Sequence, residues 1–198
     1  YCQRGNCLDM VLSDQDIRRR VADGSLQVDP FEPDNVEPSS LDLRLGDDFK
    51  RVRQSSPPTE TATLSLEQGG EKQIAYDELE YCEDEPVVLN PGELILATTL
   101  ESFVLPDDLT AQVLGRSSLG RLGVSVHQTA GWIDPGFSGR ITLELSNHGP
   151  VAVELVPGLR MCQIVFSELS TPAARPYGHS ESQYQGQHDA TESGMNFE

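Results

Sequence analysis

The feature that most constrains the fold is a series of short apolar segments separated by turn residues. Segment 41–45 alternates apolar and polar residues before Gly46, which is the pattern of a half-buried strand. The tripeptides Asn90-Pro91-Gly92 and Val156-Pro157-Gly158 are typical of turns. Further segments of strand length are 87–89, 93–99, 110–114, 141–146, 151–156 and 160–166. Many strands with little helix predict a mainly β fold, a distorted β-barrel or jelly roll.

A short N-terminal helix is predicted before these strands. Ser13 is a suitable N-cap, and Asp14 and Asp16 follow in the first turn, where the helix dipole favours anions. Gly24 is a typical C-terminal stop. The helix therefore spans about ten residues between Ser13 and Gly24.

The pattern predicts one domain with irregular ends. Residues 1–9 lack periodicity and are interpreted as a disordered leader, whereas 10–177 form the domain. Segment 55–73 is polar and contains prolines and glycines, so a mobile loop is expected. Residues 178–198 are rich in Gln, Ser and Gly and are predicted to be a flexible tail.

The charge balance narrows the classes of partner. Asp and Glu number 32 against 14 Lys and Arg, and only Lys50 and Lys72 are lysines. An acidic, lysine-poor surface fits a salt-rich cytoplasm, where counterions screen self-repulsion, so we predict a halophilic source. The formal net charge of −18 argues against a nucleic acid polymer as partner. No segment approaches the roughly 20 apolar residues that span a membrane, so a soluble cytoplasmic protein is expected.

Segment 115–121 is the first candidate for chemistry: Gly-Arg-Ser-Ser-Leu-Gly-Arg directly after a predicted strand. If Ser117 begins a short helix, its backbone N–H groups face an incoming anion and Arg116 adds positive charge. Ser117 and Arg121 are four residues apart and would share one helix face. This pattern suits a polar, anionic ligand; the alternative is a capped surface helix with a solvated arginine.

A glycine-punctuated loop follows at 127–140 and contains the only tryptophan. The pair Ala130-Gly131 permits close approach of another group to the backbone. Asp134 precedes Pro135-Gly136, so it is either a functional carboxylate or the first residue of a turn. His127 favours a structural role, because no second His, Cys or paired carboxylate supports it.

Alternation along 141–146 places apolar residues on one strand face and polar residues on the other. The polar residues are Thr142, Glu144 and Ser146. A glutamate on such a face is commonly just solvated, but lining a cleft it becomes a usable general base.

Taken in order, these pieces resemble the dCTP deaminase branch of the dUTPase-like superfamily over nearly the whole chain from Met10. The matching motifs are Leu12-Ser13-Asp14, 38–45, Pro91-Gly92-Glu93, 115–121, 129–139, 142–147, Arg175-Pro176-Tyr177-Gly178 and Tyr184-Gln185-Gly186-Gln187. Each is weak alone, and their occurrence together in this order is specific.

The resemblance implies a β-clip subunit of the dUTPase-like type, assembled as a homotrimer with active sites between subunits. It implies a dCTP or dUTP ligand with Mg²⁺ held mostly by the phosphates, and dTTP as a candidate inhibitor. It implies no zinc: zinc deaminases use H-x-E…P-C-x-x-C, and this chain has no C-x-x-C. Its four cysteines match no zinc-ligand spacing and are expected to be free thiols.

Carried over by position, Glu144 is the implied proton shuttle of the deaminase. Ser117 and the Ala130 carbonyl would position water and the exocyclic amine, and Arg121 would hold Glu144 ionised. Asp134 would help order a second water, which lies near the α-phosphate. The implied nucleotide contacts are Arg116, Ser117, Ser118, Leu119, Gly120, Arg121, Asp134, Thr142, Leu143, Glu144, Gln163, Tyr177, Gln183 and Gln187. Family tails commonly carry a lysine where this chain has Gln183, which puts one phosphate contact in doubt.

The product depends on the loop after Ala130. Deaminases that release dUTP tend to have bulkier, basic residues there, whereas Ala130-Gly131-Trp132-Ile133-Asp134 is closer to dUTPases and to bifunctional enzymes. The resemblance therefore favours a hydrolase that forms dUMP. The alternatives are a deaminase that releases dUTP, a dUTPase without deaminase activity, a deoxynucleotide-binding regulator and a structural trimer.

Overall fold

The computed structural model describes residues 10–52, 76–83, 85–179 and 184–193. Its helical elements are α1 (Asp14–Ala22), a 3₁₀ helix (Pro33–Asn35) and α2 (Ser117–Gly120). Its strands are β1 (Gln27–Asp29), β2 (Val36–Glu37), β3 (Ser40–Val52), β4 (Tyr76–Glu80), β5 (Val87–Leu89), β6 (Leu94–Val104), β7 (Leu109–Gly115), β8 (Val124–Ser125), β9 (Trp132–Ile133), β10 (Ser138–Asn147), β11 (Val153–Leu155) and β12 (Arg160–Glu168). The predicted leader 1–9, loop 55–73 and contact Gln183 lie outside the described residues.

Helix α1 confirms the predicted N-terminal helix. The Ser13 hydroxyl accepts a hydrogen bond from Asp16 N at 3.3 Å, while the Asp16 carboxylate accepts one from Ser13 N at 3.4 Å. This reciprocal capping satisfies donors that a helix start leaves unpaired. Ile17 is fully buried and joins the helix to the core.

Ten strands form one antiparallel sheet. Seven of them follow the order β8-β10-β6-β3-β12-β7-β9, and the other three pair off this path: β1 with β6, and both β2 and β4 with β3. Strands β5 and β11 pair separately. The predicted strand segments are confirmed, and several extend further than the pattern indicated: 141–146, for example, lies within β10.

The long strand β3 gives the sheet its curvature. Its first part pairs with β12 and its second with β6, and the register shifts between Leu45 and Phe49. Such irregularities bend a strand and increase its twist. The sheet curls into a half-barrel around the apolar side chains, which confirms the predicted mainly β fold of the barrel or jelly-roll type. The largest fully buried side chains include Phe49, Phe103, Phe166, Leu41, Leu43 and Leu45.

The prediction of a half-buried strand at 41–45 was wrong in one respect. Alternation correctly indicated a strand, but Asp42, on the polar face, is also buried. The reason lies in tertiary structure, because β2 and β12 flank this part of β3 and two arginines cover the carboxylate. Within the described ranges, no helix combines the length and apolar character needed to cross a bilayer.

Candidate functional site

An open cleft of about 650 Å³ lies where β7 runs into α2. Its lining residues are Glu37, Pro38, Ser39, Ser40, Asp42, Gly115, Arg116, Ser117, Ser118 and Gln163. The structure thus brings together three stretches, 37–42, 115–118 and Gln163, that are far apart in the chain. Most of the lining groups are polar, which suits a hydrophilic ligand.

The predicted short helix after Gly115-Arg116 is confirmed as α2. Arg116 is the N-cap residue in an extended conformation, and its carbonyl accepts hydrogen bonds from Leu119 N at 3.1 Å and Gly120 N at 3.0 Å. The turn presents Ser117 and Ser118 to the cleft. Arg121 directly follows α2 and is exposed.

A buried carboxylate stands at the side of this cleft. Asp42 Oδ2 lies 3.3 Å from Arg116 Nη2 and 3.3 Å from Arg160 Nη1. Arg116 Nη1 also donates to the Arg160 carbonyl oxygen at 3.2 Å. Burial raises the pKa of the Asp42 carboxyl above its ordinary value, although the two arginines oppose that effect.

Gln163 reaches the cleft because of strand register. It lies opposite Asp42 on β3 and opposite Leu114 on β7, and its side-chain oxygen accepts a hydrogen bond from Ser40 Oγ at 3.2 Å. Sequence reasoning assigned no site role to Ser40, Asp42 or Arg160. The 38–45 motif was the only signal for the first two, and it marked a strand without indicating which side chains face a cleft.

Glu144 lies on β10 with its carboxylate fixed by the backbone of the preceding loop. Gln128 N donates to Glu144 Oε2 at 2.7 Å, and Gln128 Nε2 donates to Ser146 Oγ at 2.9 Å. Ser146 Oγ in turn lies 2.7 Å from Ser125 Oγ on β8. Gln128 was missed, because a contact made by a backbone N–H leaves no mark in residue type.

The alternation predicted for this strand is confirmed. Ile141, Leu143 and Leu145 are buried, while Thr142 and Glu144 are half-buried. Among the contacts of the described residues, no ion pair joins Arg121 to Glu144. Their cooperation stays a prediction.

The backbone at Asp134 forms the turn that was one of the two interpretations of this residue. Phe137 N donates to the Asp134 carbonyl at 3.2 Å, and Gly136 between them has φ +85°. An added Cβ at Gly136 would lie 2.7 Å from the carbonyl oxygen of Tyr177, so glycine permits this close packing. The turn leaves the Asp134 side chain exposed and places Tyr177 beside it.

Gly131 is needed for packing inside the subunit. An added Cβ would lie 2.7 Å from the Val113 carbonyl and 3.2 Å from His127 Nε2. The predicted close approach at Ala130-Gly131 is therefore confirmed, with β7 as the approaching group. Ala130 itself is exposed.

Residues 184–193 lie along the outer part of β10. Arg140 N donates to the Gln187 carbonyl at 2.9 Å, and Gln187 Nε2 donates to the Arg140 carbonyl at 2.6 Å. Thr191 N donates to Thr142 Oγ1 at 3.2 Å. The tail thus brings Gln187 to the same strand as Thr142 and Glu144. Across the described part of the chain, no group of three or more His, Cys, Asp or Glu side chains is arranged to hold a metal ion.

Comparisons with known proteins identify the family of this chain. The dCTP deaminase-like family matches residues 11–169. A protein of Methanothermobacter thermautotrophicus named "dCTP deaminase, dUMP-forming" is 48% identical over 182 residues, which cover 89% of each chain. A protein of the same name from Halobacterium salinarum is 48% identical over 181 residues, covering 90% of this chain and 91% of that one.

The solved structure of 2'-deoxycytidine 5'-triphosphate deaminase from Agrobacterium tumefaciens superposes with a TM-score of 0.62 at 28% identity. The match covers 81% of this chain and 49% of the Agrobacterium chain, so this chain spans about half the length of that protein. One family model matches most of the chain, and these relatives are up to 48% identical to it. The protein therefore belongs to the dCTP deaminase family.

Proposed function

We propose that the protein removes the amino group of dCTP by hydrolysis and releases pyrophosphate in the same active site, giving dUMP. The observation that carries this proposal is Glu144, a carboxylate held by a backbone N–H on the polar face of β10 in a member of this family. Curated relatives at 45–48% identity are named as dUMP-forming dCTP deaminases, which supports dUMP as the product.

Glu144 carries the proton in the deamination step. It takes a proton from the attacking water and delivers it to the pyrimidine N3 as the water oxygen adds to C4. Glu144 next takes the proton of the new C4 hydroxyl and passes it to the amino nitrogen. The C4–N bond then breaks, the C4 carbonyl forms and ammonia leaves. The hydrogen bond from Gln128 N fixes the carboxylate orientation, so little reorganisation is needed during proton transfer.

Ser117 and the Ala130 carbonyl position the water and the exocyclic amine, and Arg121 stabilises the charge that develops. In the described part of one subunit, no ion pair joins Arg121 to Glu144, which fits a site that a second subunit completes. We therefore propose the homotrimer with active sites between subunits. The large exposed apolar side chains Leu122 (57% exposed) and Trp132 (61%) suit burial between subunits. Sedimentation velocity in molar salt distinguishes a trimer from a monomer.

The cleft beside α2 receives the phosphates. Arg116 supplies charge, and Ser117, Ser118 and Gln163 supply hydrogen bonds. Mg²⁺ would bind together with the nucleotide, because Asp42 in the cleft lining is already paired with two arginines and Glu37 is the other carboxylate of that lining. When bound, the ion neutralises phosphate charge, including that of leaving pyrophosphate. Tyr177 and Gln187 contact the nucleotide from the tail side, together with Thr142 of β10, whereas the Leu143 side chain is buried in the core.

The first experiment is incubation with dCTP and Mg²⁺ in molar salt, with products separated by ion exchange. We expect dUMP, ammonia and pyrophosphate without build-up of free dUTP.

Asp134 orders the second water, which attacks the α-phosphorus while its bond to the leaving pyrophosphate breaks. Asp134→Asn should therefore shift the product toward dUTP. Adding dTTP to the same assay tests it as an inhibitor. Accumulation of dUTP by the wild type would establish a simple deaminase, the activity named for a Haloarcula marismortui relative that is 46% identical.

Salt should stabilise this protein. With a formal charge of −18, self-repulsion is strong, and the screening length falls from about 10 Å at 0.1 M to about 3 Å at 1 M salt. We expect the melting temperature to rise by several degrees between 0.1 M and 2 M KCl, measured by circular dichroism. A non-ionic osmolyte at equal osmolality is the control. A melting temperature that is flat or falls with KCl would contradict the proposed salt-rich cytoplasm.

A further inference from the structure

A buried carboxylate, that of Asp42, is unexpected in a cleft that receives phosphates. Its side chain is only 3% exposed, and its negative charge opposes that of a polyanion. Burial of a carboxylate is unfavourable unless it is paired, and here the partners are Arg116 and Arg160. The alternation that predicts this strand does not explain why a carboxylate is buried between two arginines.

The contacts supply that reason. Both guanidinium groups meet the same oxygen, Asp42 Oδ2, at 3.3 Å, and Arg116 also donates to the Arg160 carbonyl at 3.2 Å. Arg116 is therefore held at two of its nitrogens. A guanidinium has five N–H donors in a rigid plane, so fixing one edge directs the other. The Arg116 side chain is 30% exposed and lines the cleft, so the N–H donors not used in these two contacts are available to a ligand.

Charge makes the arrangement consistent with an anion site. Asp42, Arg116 and Arg160 together carry one net positive charge, since two guanidinium groups outweigh one carboxylate. Arg160, 44% exposed, balances Asp42 and leaves Arg116 available for the phosphates. Glu37 is a second carboxylate in the cleft lining, so with Glu37 included the four charged groups sum to zero, and the positive charge offered to a phosphate is local to Arg116.

We propose that Asp42 is a positioning residue, which holds the Arg116 guanidinium in the orientation that binds the nucleotide phosphates, with Arg160 neutralising its charge. This inference rests on the proposed function, in which the cleft receives phosphates. A rigidly held arginine binds phosphate better than a mobile one, because less side-chain entropy is lost on binding.

The test is Asp42→Asn, which keeps the side-chain size and one acceptor oxygen but removes the charge. We expect KM for dCTP and the Kd measured by calorimetry to rise about tenfold, as for a lost charge-assisted contact, with kcat within about twofold of wild type. The matched control is Asp108→Asn. Asp108 also pairs with an arginine, Arg20, at 3.0 Å, but it is not among the residues that line the cleft. It should leave KM unchanged.

A double-mutant cycle separates positioning from a general loss of structure. If Asp42 acts through Arg116, Asp42→Asn adds little to the KM already raised by Arg116→Gln. Additive effects, or an unchanged KM in Asp42→Asn, would overturn the inference. If Asp42→Asn fails to fold, Arg160→Gln decides: we expect a raised Kd for dCTP, and an unchanged one overturns the inference.

The wild type separates failure of this inference from failure of the proposed function. Wild-type protein that binds dCTP without deaminating it refutes the proposed function, while the Kd comparison still decides the role of Asp42. Wild-type protein that neither binds nor deaminates dCTP overturns both. Active wild type with an unaffected Asp42→Asn variant overturns the role of Asp42 alone.

Discussion

Glu144→Gln is expected to deaminate dCTP about 10²–10⁴-fold more slowly than the wild type, the usual contribution of a positioned acid–base group. Glutamine has nearly the same shape, and its side-chain oxygen can still accept the hydrogen bond from Gln128 N. It cannot take a proton from water and pass it to N3, however. We therefore expect kcat to fall while the Kd for dCTP, measured by calorimetry, stays within about threefold.

The matched control is Glu154→Gln on β11, where the glutamate is exposed. This variant makes the same chemical change on another strand and should keep wild-type kcat. Retained turnover of dCTP by Glu144→Gln would remove Glu144 from the mechanism. Loss of nucleotide binding together with turnover would instead indicate that Glu144 mainly binds the base.

Gly123→Ala is expected to have the largest effect on stability, because two backbone segments touch at this glycine. Gly123 has φ +89°, and an added Cβ would lie 2.7 Å from Gly149 Cα. His148 N also donates to the Gly123 carbonyl at 2.7 Å, so the segments cannot simply separate. We expect the free energy of unfolding, measured with denaturant in molar salt, to fall by about 2–4 kcal/mol.

Gly24→Ala separates the steric cost from the conformational one. Gly24 has a similar φ of +78°, but no atom lies within 4 Å of its added Cβ. This variant should lose only about 1 kcal/mol, the cost of a left-handed conformation for alanine. Equal losses in the two variants would show that the contact between Gly123 and Gly149 is not tight in solution.

The Gly123 contact also bears on catalysis. Helix α2 packs against β8, and β8 pairs with the end of β10 through Ser125 and Ser146. Gly123 lies between α2 and β8, so its contact with Gly149 holds α2, which carries Ser117, against β8 of the same subunit. A loosened junction should therefore lower kcat even at temperatures where Gly123→Ala remains folded.

Much of this protein could be predicted from local patterns in its sequence. Alternation indicated the strands, Ser13 and Asp16 indicated the start of α1, and the Gly-Arg-Ser-Ser run indicated α2. Alternation also placed Glu144 on a polar face. These predictions succeeded because a strand repeats every two residues and a helix cap needs particular side chains, so both leave a record in neighbouring residues.

Tertiary structure alone decided how the site is held together. Asp42 meets Arg160, 118 residues away, only because β3 and β12 pair in one register, and the neighbouring strands and two arginines bury that carboxylate. Gln128 holds Glu144 through a backbone N–H, which every residue except proline possesses. Local periodicity records which way a side chain points, whereas strand register and sheet curvature determine what it meets, and those depend on the whole chain.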